Sequence, residues 1–206
     1  MNRKELKSKA LEHLKGHWGY AILSVFLCMI IIDGVGAATA GIVALLFTAP
    51  MLVGLYSIFL DGSRKGEYDI ATLFVGFKEN LVEKIILSLY KALMVFLWSL
   101  LFIIPGIIKS YAYSAAEYIA AEHPDYSFKK CLTESERLMK GHKWELFVLQ
   151  LSFLGWMILG MFTFGILYFW LAPYMIATQT EFFIVLMGQD SELSKKGTVV
   201  TAEIVK

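Results

Sequence analysis

Lys109, Tyr113 and Glu117 recur at four-residue intervals within "PGIIKSYAYSAAEYIAAE", Pro105 to Glu122. On an uninterrupted helix that spacing puts all three on one face. A lysine and a carboxylate in so apolar a setting are costly to keep, which makes them candidates for ion or proton handling. Lys109 and Glu117 would lie about 12 Å apart along the axis, too far to pair, so each needs a partner from elsewhere. Glu181, with Thr178 about one turn before it in "ATQTEFF", is the natural acidic one. We expect Lys109, Tyr113, Glu117, Thr178 and Glu181 to line a polar intramembrane site between the second and third apolar hairpins. The competing expectation is that Lys109 and Glu117 snorkel to opposite interfaces while the tyrosines form an aromatic belt.

Other chemistry finds less support. His13 and His17 are also four apart, beside Glu12, a spacing two metal ligands on a helix would use. A third ligand is not apparent and the pattern is not HExxH, so no metal is expected there. There is no GxSxG elbow, no phosphate-binding glycine loop and no serine placed for a triad. Neither catalysis nor a cofactor is expected. Cys28, in an apolar run, and Cys131, in a charged segment, are placed too differently for a disulfide or metal pair.

The elements that would position such a site follow from composition. The 206 residues are 57% hydrophobic and 18% charged, against about 45–50% and about 25% in an ordinary soluble domain. Lipid is the expected solvent for much of the chain. A formal charge of +1 excludes the basic surface that nucleic acid requires. Three apolar regions, Trp18–Leu60, Leu81–Ala121 and Trp144–Met187, are each long enough for two crossings of a core of about 30 Å. Each carries a midpoint breaker: "DGVG" at Asp33–Gly36, "PG" at Pro105–Gly106 and "TFG" at Thr163–Gly165. The second is the least regular, with Lys91 interrupting it and Pro105 at either a turn or a kink, so five spans or a re-entrant segment are alternatives there.

Each region is preceded by a short lead. The first reads "LKGHW" at Leu14–Trp18 and the third "MKGHKW" at Met139–Trp144. Leu6, Ala10, Leu14 and Trp18, and again Phe128, Leu132, Ser135 and Met139, fall at helical spacing with Lys and Glu between them. Asp69 and Asp125 stand where helix N-caps are expected. Lys15, Gly16, His17 and Trp18, and Lys140, Gly141, His142 and Trp144, are then junctions between an interfacial helix and a membrane helix, with Gly letting the chain turn. Gly76 is the expected equivalent in the second lead. Pro50, Pro105 and Pro173 mark kinks in the second helix of each hairpin. The expected architecture is all-α, about six transmembrane helices built as three lead-plus-hairpin units (1–62, 66–122 and 125–187), with a single membrane domain over 1–187 and a cytoplasmic tail over 188–206.

Basic residues crowd the leads and the tail, while the opposite turns carry little charge beyond Asp33, so both termini are expected in the cytoplasm. The basic start, apolar run and "GAATAG" at Gly36–Gly41 imitate a signal peptide, and retention is expected because cleavage would destroy the first unit. Small residues Gly36, Ala40 and Ala44, with Ala37 and Gly41, form a packing ridge. The strand-like alternation of "GTVVTAEIVK" offers an edge to a partner, with disorder the simpler expectation.

The combination "LWSLLFIIPGIIKSYAYS", "SERLMKGHKWELF", "LSFLGW" and "LAPYMIATQTEF" resembles an uncharacterised family of bacterial multi-pass membrane proteins, domain-of-unknown-function family 975, over most of residues 1–187. The resemblance implies a bacterial plasma membrane and brings no substrate or active-site residue. The chain is also broadly similar to the membrane region attached to some glycerophosphodiester phosphodiesterases, whose catalytic domain has no counterpart here. The leading expectation, drawn from the repeated leads and not from the resemblance, is a non-catalytic membrane protein that contacts the lipid bilayer, a protein partner or a second copy of itself through its interfacial helices. The alternative is a small solute or peptide transporter or channel using the polar intramembrane site.

Overall fold

The computed structural model describes the backbone of residues 2–38, 42–78, 80–101 and 103–204. Helices account for nearly all of it, and no strand occurs among the described residues. In chain order they are α1 (Arg3–Leu14), α2 (Trp18–Ala38), α3 (Ile42–Lys65), a 3₁₀ turn at Ile70–Phe74 running into α4 (Val75–Lys78), α5 (Leu81–Leu101), α6 (Ile103–Ala112), α7 (Ala116–Glu122), α8 (Phe128–Leu138), α9 (Lys143–Leu151), α10 (Leu154–Phe162) and α11 (Tyr168–Ile204). Among the described residues four helical stretches are long and apolar enough to cross a membrane: Trp18–Ala38, Leu46–Lys65, Lys143–Phe162 and Tyr168–Gln189. This is the helical layout of a membrane protein.

The leads fold as their periodicity predicts, but their apolar faces turn inward. On α1, Leu6, Ala10 and Leu14 are buried and pack chiefly against α11. On α8 and the two residues after it, Cys131, Leu132, Ser135, Leu138 and Met139 are buried, while Lys129, Lys130, Thr133, Arg137 and Lys140 face outward. The surface the leads present is therefore their polar one. Burying a leucine stabilises by roughly 1.5–3 kcal/mol, which explains why these short helices dock on the bundle.

Both "KGH" junctions adopt the same backbone. Gly16 (φ +83°) and Gly141 (φ +90°) are left-handed, a conformation that glycine takes without a Cβ clash and that ends a helix cleanly. In the second lead the left-handed residue is Asn80 (φ +46°), not Gly76. Gly76 instead lies where a Cβ would overlap the Pro50 carbonyl oxygen, and Gly54 where one would overlap the Leu73 carbonyl oxygen. The 70–78 segment thus rests backbone to backbone on α3. Asp69 caps it, accepting from the Ala71 amide at 2.9 Å. The third lead is capped by Ser127, which accepts from the Lys130 amide, and not by Asp125, because Pro124–Asp125 lie in the turn before it.

Breakers behave differently in the three regions. "DGVG" does not end a helix, since α2 runs through Asp33–Gly36 to Ala38; Ala40 and Gly41 of the small-residue ridge lie outside the described residues. Pro105 is the third residue of α6, where the missing amide costs nothing, and Gly106 lets α6 close on Ser99 of α5. Pro50 and Pro173 sit inside α3 and α11. "TFG" does form the third turn, with Phe164 (φ +50°) and Gly165 (φ +85°) left-handed. The tail continues as the backbone of α11 to Ile204 in place of a strand.

Candidate functional site

The five residues expected to share one site are dispersed: four of them fall in three clusters, and Thr178 stands apart. The division begins at Tyr113–Ala115, where the helix carrying Lys109 stops and a new one carrying Glu117 starts. Ser135 of α8 stabilises that break: its hydroxyl donates to the Ala112 carbonyl (2.8 Å) and accepts from the Ala115 amide (3.2 Å). The four-residue register between Tyr113 and Glu117 is lost there, and the two side chains take separate partners.

Lys109 and Tyr113 stay together. The Lys109 ammonium donates to Glu136 of α8 at 2.6 Å and lies 5.4 Å from the Tyr113 ring centre and 5.8 Å from that of Trp98. Tyr90, Tyr113, Lys129, Leu132, Thr133 and Glu136 border a cleft of about 260 Å³ on this face. The hydrogen bond from Lys109 holds the Glu136 carboxyl below its ordinary 4.5, against the opposing effect of burial. A depressed carboxyl contributes stability above its unfolded pKa and loses it as pH falls through the folded one. In detergent, Glu136→Gln is therefore expected to lower the melting midpoint modestly at pH 7 and to melt with the parent protein once pH falls well below 4.5. A gap that persists in acid would assign the effect to packing. The effect is small because both side chains are partly exposed and solvent screens them.

Glu117 is only 5% exposed. Both of its oxygens accept from the Lys91 ammonium, at 2.6 and 2.8 Å, so the lysine that interrupts the second apolar region is the partner that carboxylate needs. Next to the pair, Tyr118 stacks on Tyr56 of α3 with ring centres 3.9 Å apart. Arg64 at the end of α3 reaches Glu122 at 3.0 Å.

Glu181, 4% exposed, belongs to a third cluster. His13 Nδ1 lies 2.9 Å from its Oε1 and 2.9 Å from Ser63 Oγ, and the Ser63 hydroxyl also donates to Glu181. Tyr68 donates to the His13 carbonyl and stacks on His17 with ring centres 5.0 Å apart. Burial pushes the Tyr68 hydroxyl up to about 12, with Glu181 adding to it. Serine, histidine and a carboxylate in contact invite comparison with a hydrolytic triad, but that device needs the serine on one ring nitrogen and the acid on the other. Here both face Nδ1 and the serine proton points to the carboxylate. The cluster clamps α1 to α3 and α11. His13 and His17 turn to different partners, and no group of three metal-ligating side chains occurs among the described residues.

Thr178 joins none of these. Its hydroxyl donates to the Tyr174 carbonyl one turn back, as Thr180 does to Ile176, Ser57 to Val53 and Ser24 to Tyr20. Each hydroxyl is satisfied on its own helix, which removes the cost of burying it. Spacing pointed to Lys109, Tyr113 and Glu117, and to His13 only as a metal-ligand pair with His17; it gave no sign that Lys91, Glu136, His13 and Ser63 are the partners of these charges and of Glu181. The available signal was that Lys91 and Glu117 are lone opposite charges within apolar runs.

Across the described residues, then, the buried carboxylates Glu117 and Glu181 have partners and the buried serine and threonine hydroxyls are satisfied, while the buried Tyr118 hydroxyl makes no hydrogen bond, on an all-helical membrane scaffold. Residues 1–110 and 100–189 match the family described as protein of unknown function (DUF975). The chain belongs to this family. The two matches overlap and together reach Gln189, so the family's sequence pattern takes in all three clusters. Neither a curated protein nor a solved structure matches the chain.

Proposed function

We propose that this chain is an integral membrane protein that acts by contact with lipid, with a protein partner or with a second copy, without transforming a substrate. The observation that carries this reading is the orientation of the leads. Their apolar sides are spent on the bundle, and what they offer outward is polar: Arg3 and Lys4 beside Glu5 and Glu12 on α1, and on and just after α8 the mainly basic set Lys129, Lys130, Lys140 and Arg137, the last paired with Glu134. Basic side chains at a membrane surface attract anionic headgroups by about 1 kcal/mol each. The identical left-handed junctions at Gly16 and Gly141 support three lead-plus-hairpin units with about six apolar helices. The same basic distribution favours cytoplasmic termini, in the bacterial plasma membrane that the family resemblance implies.

Protein in nanodiscs containing anionic lipid is expected to melt higher than in zwitterionic nanodiscs, and Lys129→Glu with Lys140→Glu is expected to abolish the difference. Equal melting of the parent protein in both lipids would overturn the reading. A second reading, transport of a small solute or peptide, has one specific support, the buried Lys91–Glu117 pair. Flux in proteoliposomes that disappears with Glu117→Gln would favour it.

A further inference from the structure

Burial changes abruptly along the second and third apolar regions. In α5 the side chains from Ala92 to Leu100 are mostly exposed, as are most of Ile104–Ser110 in α6, whereas Ala112–Ala120 are almost wholly buried. In the third region Leu146 and Leu149 are buried, but Leu151, Leu154, Trp156, Ile158, Leu159, Met161 and Phe162 are exposed. Burial resumes at Leu171. Each region is thus a covered base with a bare apolar tip.

Charged side chains fix where each base ends. Alongside the second hairpin runs α8, whose outward face carries Lys129, Lys130 and Arg137 and whose Glu136 pairs with Lys109. From Lys109 back to Ile103 is six residues, about 9 Å of helix, and Ala92–Leu101 adds only about 15 Å on the other arm. Alongside the third hairpin lies α1, where Lys7 donates to the Ser152 carbonyl and its ammonium sits 3.9 Å from the Phe153 ring centre. Asn2, Arg3, Lys4, Lys7 and Ser152 border an open cleft of about 460 Å³ there. Beyond Phe153, α10 has nine residues, about 13 Å. The hydrocarbon core is about 30 Å thick, so tips of this length reach about its middle.

The turn of the third hairpin suits that depth. Phe164 at its apex is 98% exposed. The amides of Thr163, Gly165, Ile166, Tyr168, Phe169, Trp170 and Leu171 donate to carbonyls within 159–167. The Leu167 amide donates to the Thr163 hydroxyl, which itself donates to Gly160. Tyr168 places its hydroxyl on the Met157 carbonyl at 2.8 Å. Of the amides from Thr163 to Leu171 only that of Phe164, at the apex, lacks such a partner, a degree of closure that a turn in hydrocarbon needs and one in water does not.

We infer that the second and third hairpins do not cross the bilayer but insert as half-depth wedges, their apolar tips among the acyl chains of the leaflet that faces α1 and α8. Lys143–Phe162 has the length to cross, but its first half is held in the charged layer. The inference goes beyond the contact role proposed above and does not depend on it.

The test uses the full chain in proteoliposomes with Cys28→Ala and Cys131→Ala. Phe164→Cys carries a spin label at the third tip, Leu100→Cys one at the second, and Thr133→Cys serves as the exposed reference. These tip side chains are exposed, so replacing them removes little packing. The expected result is strong oxygen collision, loss of nickel-chelate collision, and complete loss of impermeant-maleimide labelling from both sides at the two tips, with full labelling at Thr133→Cys. Labelling of a tip from the side opposite Thr133→Cys would overturn the inference. So would protection without lipid collision together with cross-linking to a second copy.

Discussion

Gly76→Ala is expected to pull the 70–78 segment off α3, lowering stability by about 3 kcal/mol or more. The obstacle is the Pro50 carbonyl oxygen, and for Gly54→Ala it is that of Leu73. Overpacking usually costs about 1–3 kcal/mol because a neighbouring side chain can shift. Here the neighbour is backbone on both sides, one of them the packed helix α3, so the segment itself must move. Gly155→Ala is the control, because it lies in a helix with nothing within 4 Å of the added carbon and should gain up to about 1 kcal/mol from helix propensity. Melting midpoints and the rate of tryptic cutting after Lys78 read the outcome. An unchanged midpoint and cutting rate in both Gly54→Ala and Gly76→Ala would mean that the segment does not depend on the close approach.

The second large effect concerns the Lys91–Glu117 pair, and it is asymmetric. Removing one partner of a buried pair typically costs about 3–5 kcal/mol because the other charge is stranded. Lys91→Met strands a carboxylate whose side chain is 6% exposed, so the full cost is expected. Glu117→Gln leaves a lysine whose side chain is 25% exposed and long enough to reach water, so its cost should be the smaller. The double variant Lys91→Met with Glu117→Gln removes both charges and is expected to recover much of the loss. Denaturation of the four proteins of this cycle checks it. Additive losses in the double variant would show that the two side chains act independently.

What could be read from the sequence was what depends on neighbours along the chain. Helical spacing found the leads, because Leu6, Ala10 and Leu14 repeat on one side of a single uninterrupted helix. Glycine at 16 and 141 announced the left-handed junctions, since the residue type and the conformation are tied. The Asp69 cap and the Thr163–Gly165 turn were legible for the same reason. The site was less so. The spacing of Lys109, Tyr113 and Glu117 implied a shared face only while the helix continued, and it stops because Ser135, in another helix, takes over the hydrogen bonds of Ala112 and Ala115. Lys91, Glu136, His13 and Ser63 found their acidic or basic partners across the fold, where spacing carries no information. The direction of the lead faces was equally hidden, because an amphipathic helix docks on lipid or on protein by the same pattern.

The clamp between His13 and Glu181 joins residues 168 positions apart, and the helix it anchors at the start of the chain packs chiefly on the last one. Chains emerge from the N-terminus, so Leu6, Ala10 and Leu14 come into being long before the surface that covers them. Closing so long a loop costs little more than closing a shorter one, but it cannot happen until residue 181 has been made. Helix α1 is thus made early but locked in place only after α11 has been made, so this part of the fold waits on residues synthesised far later.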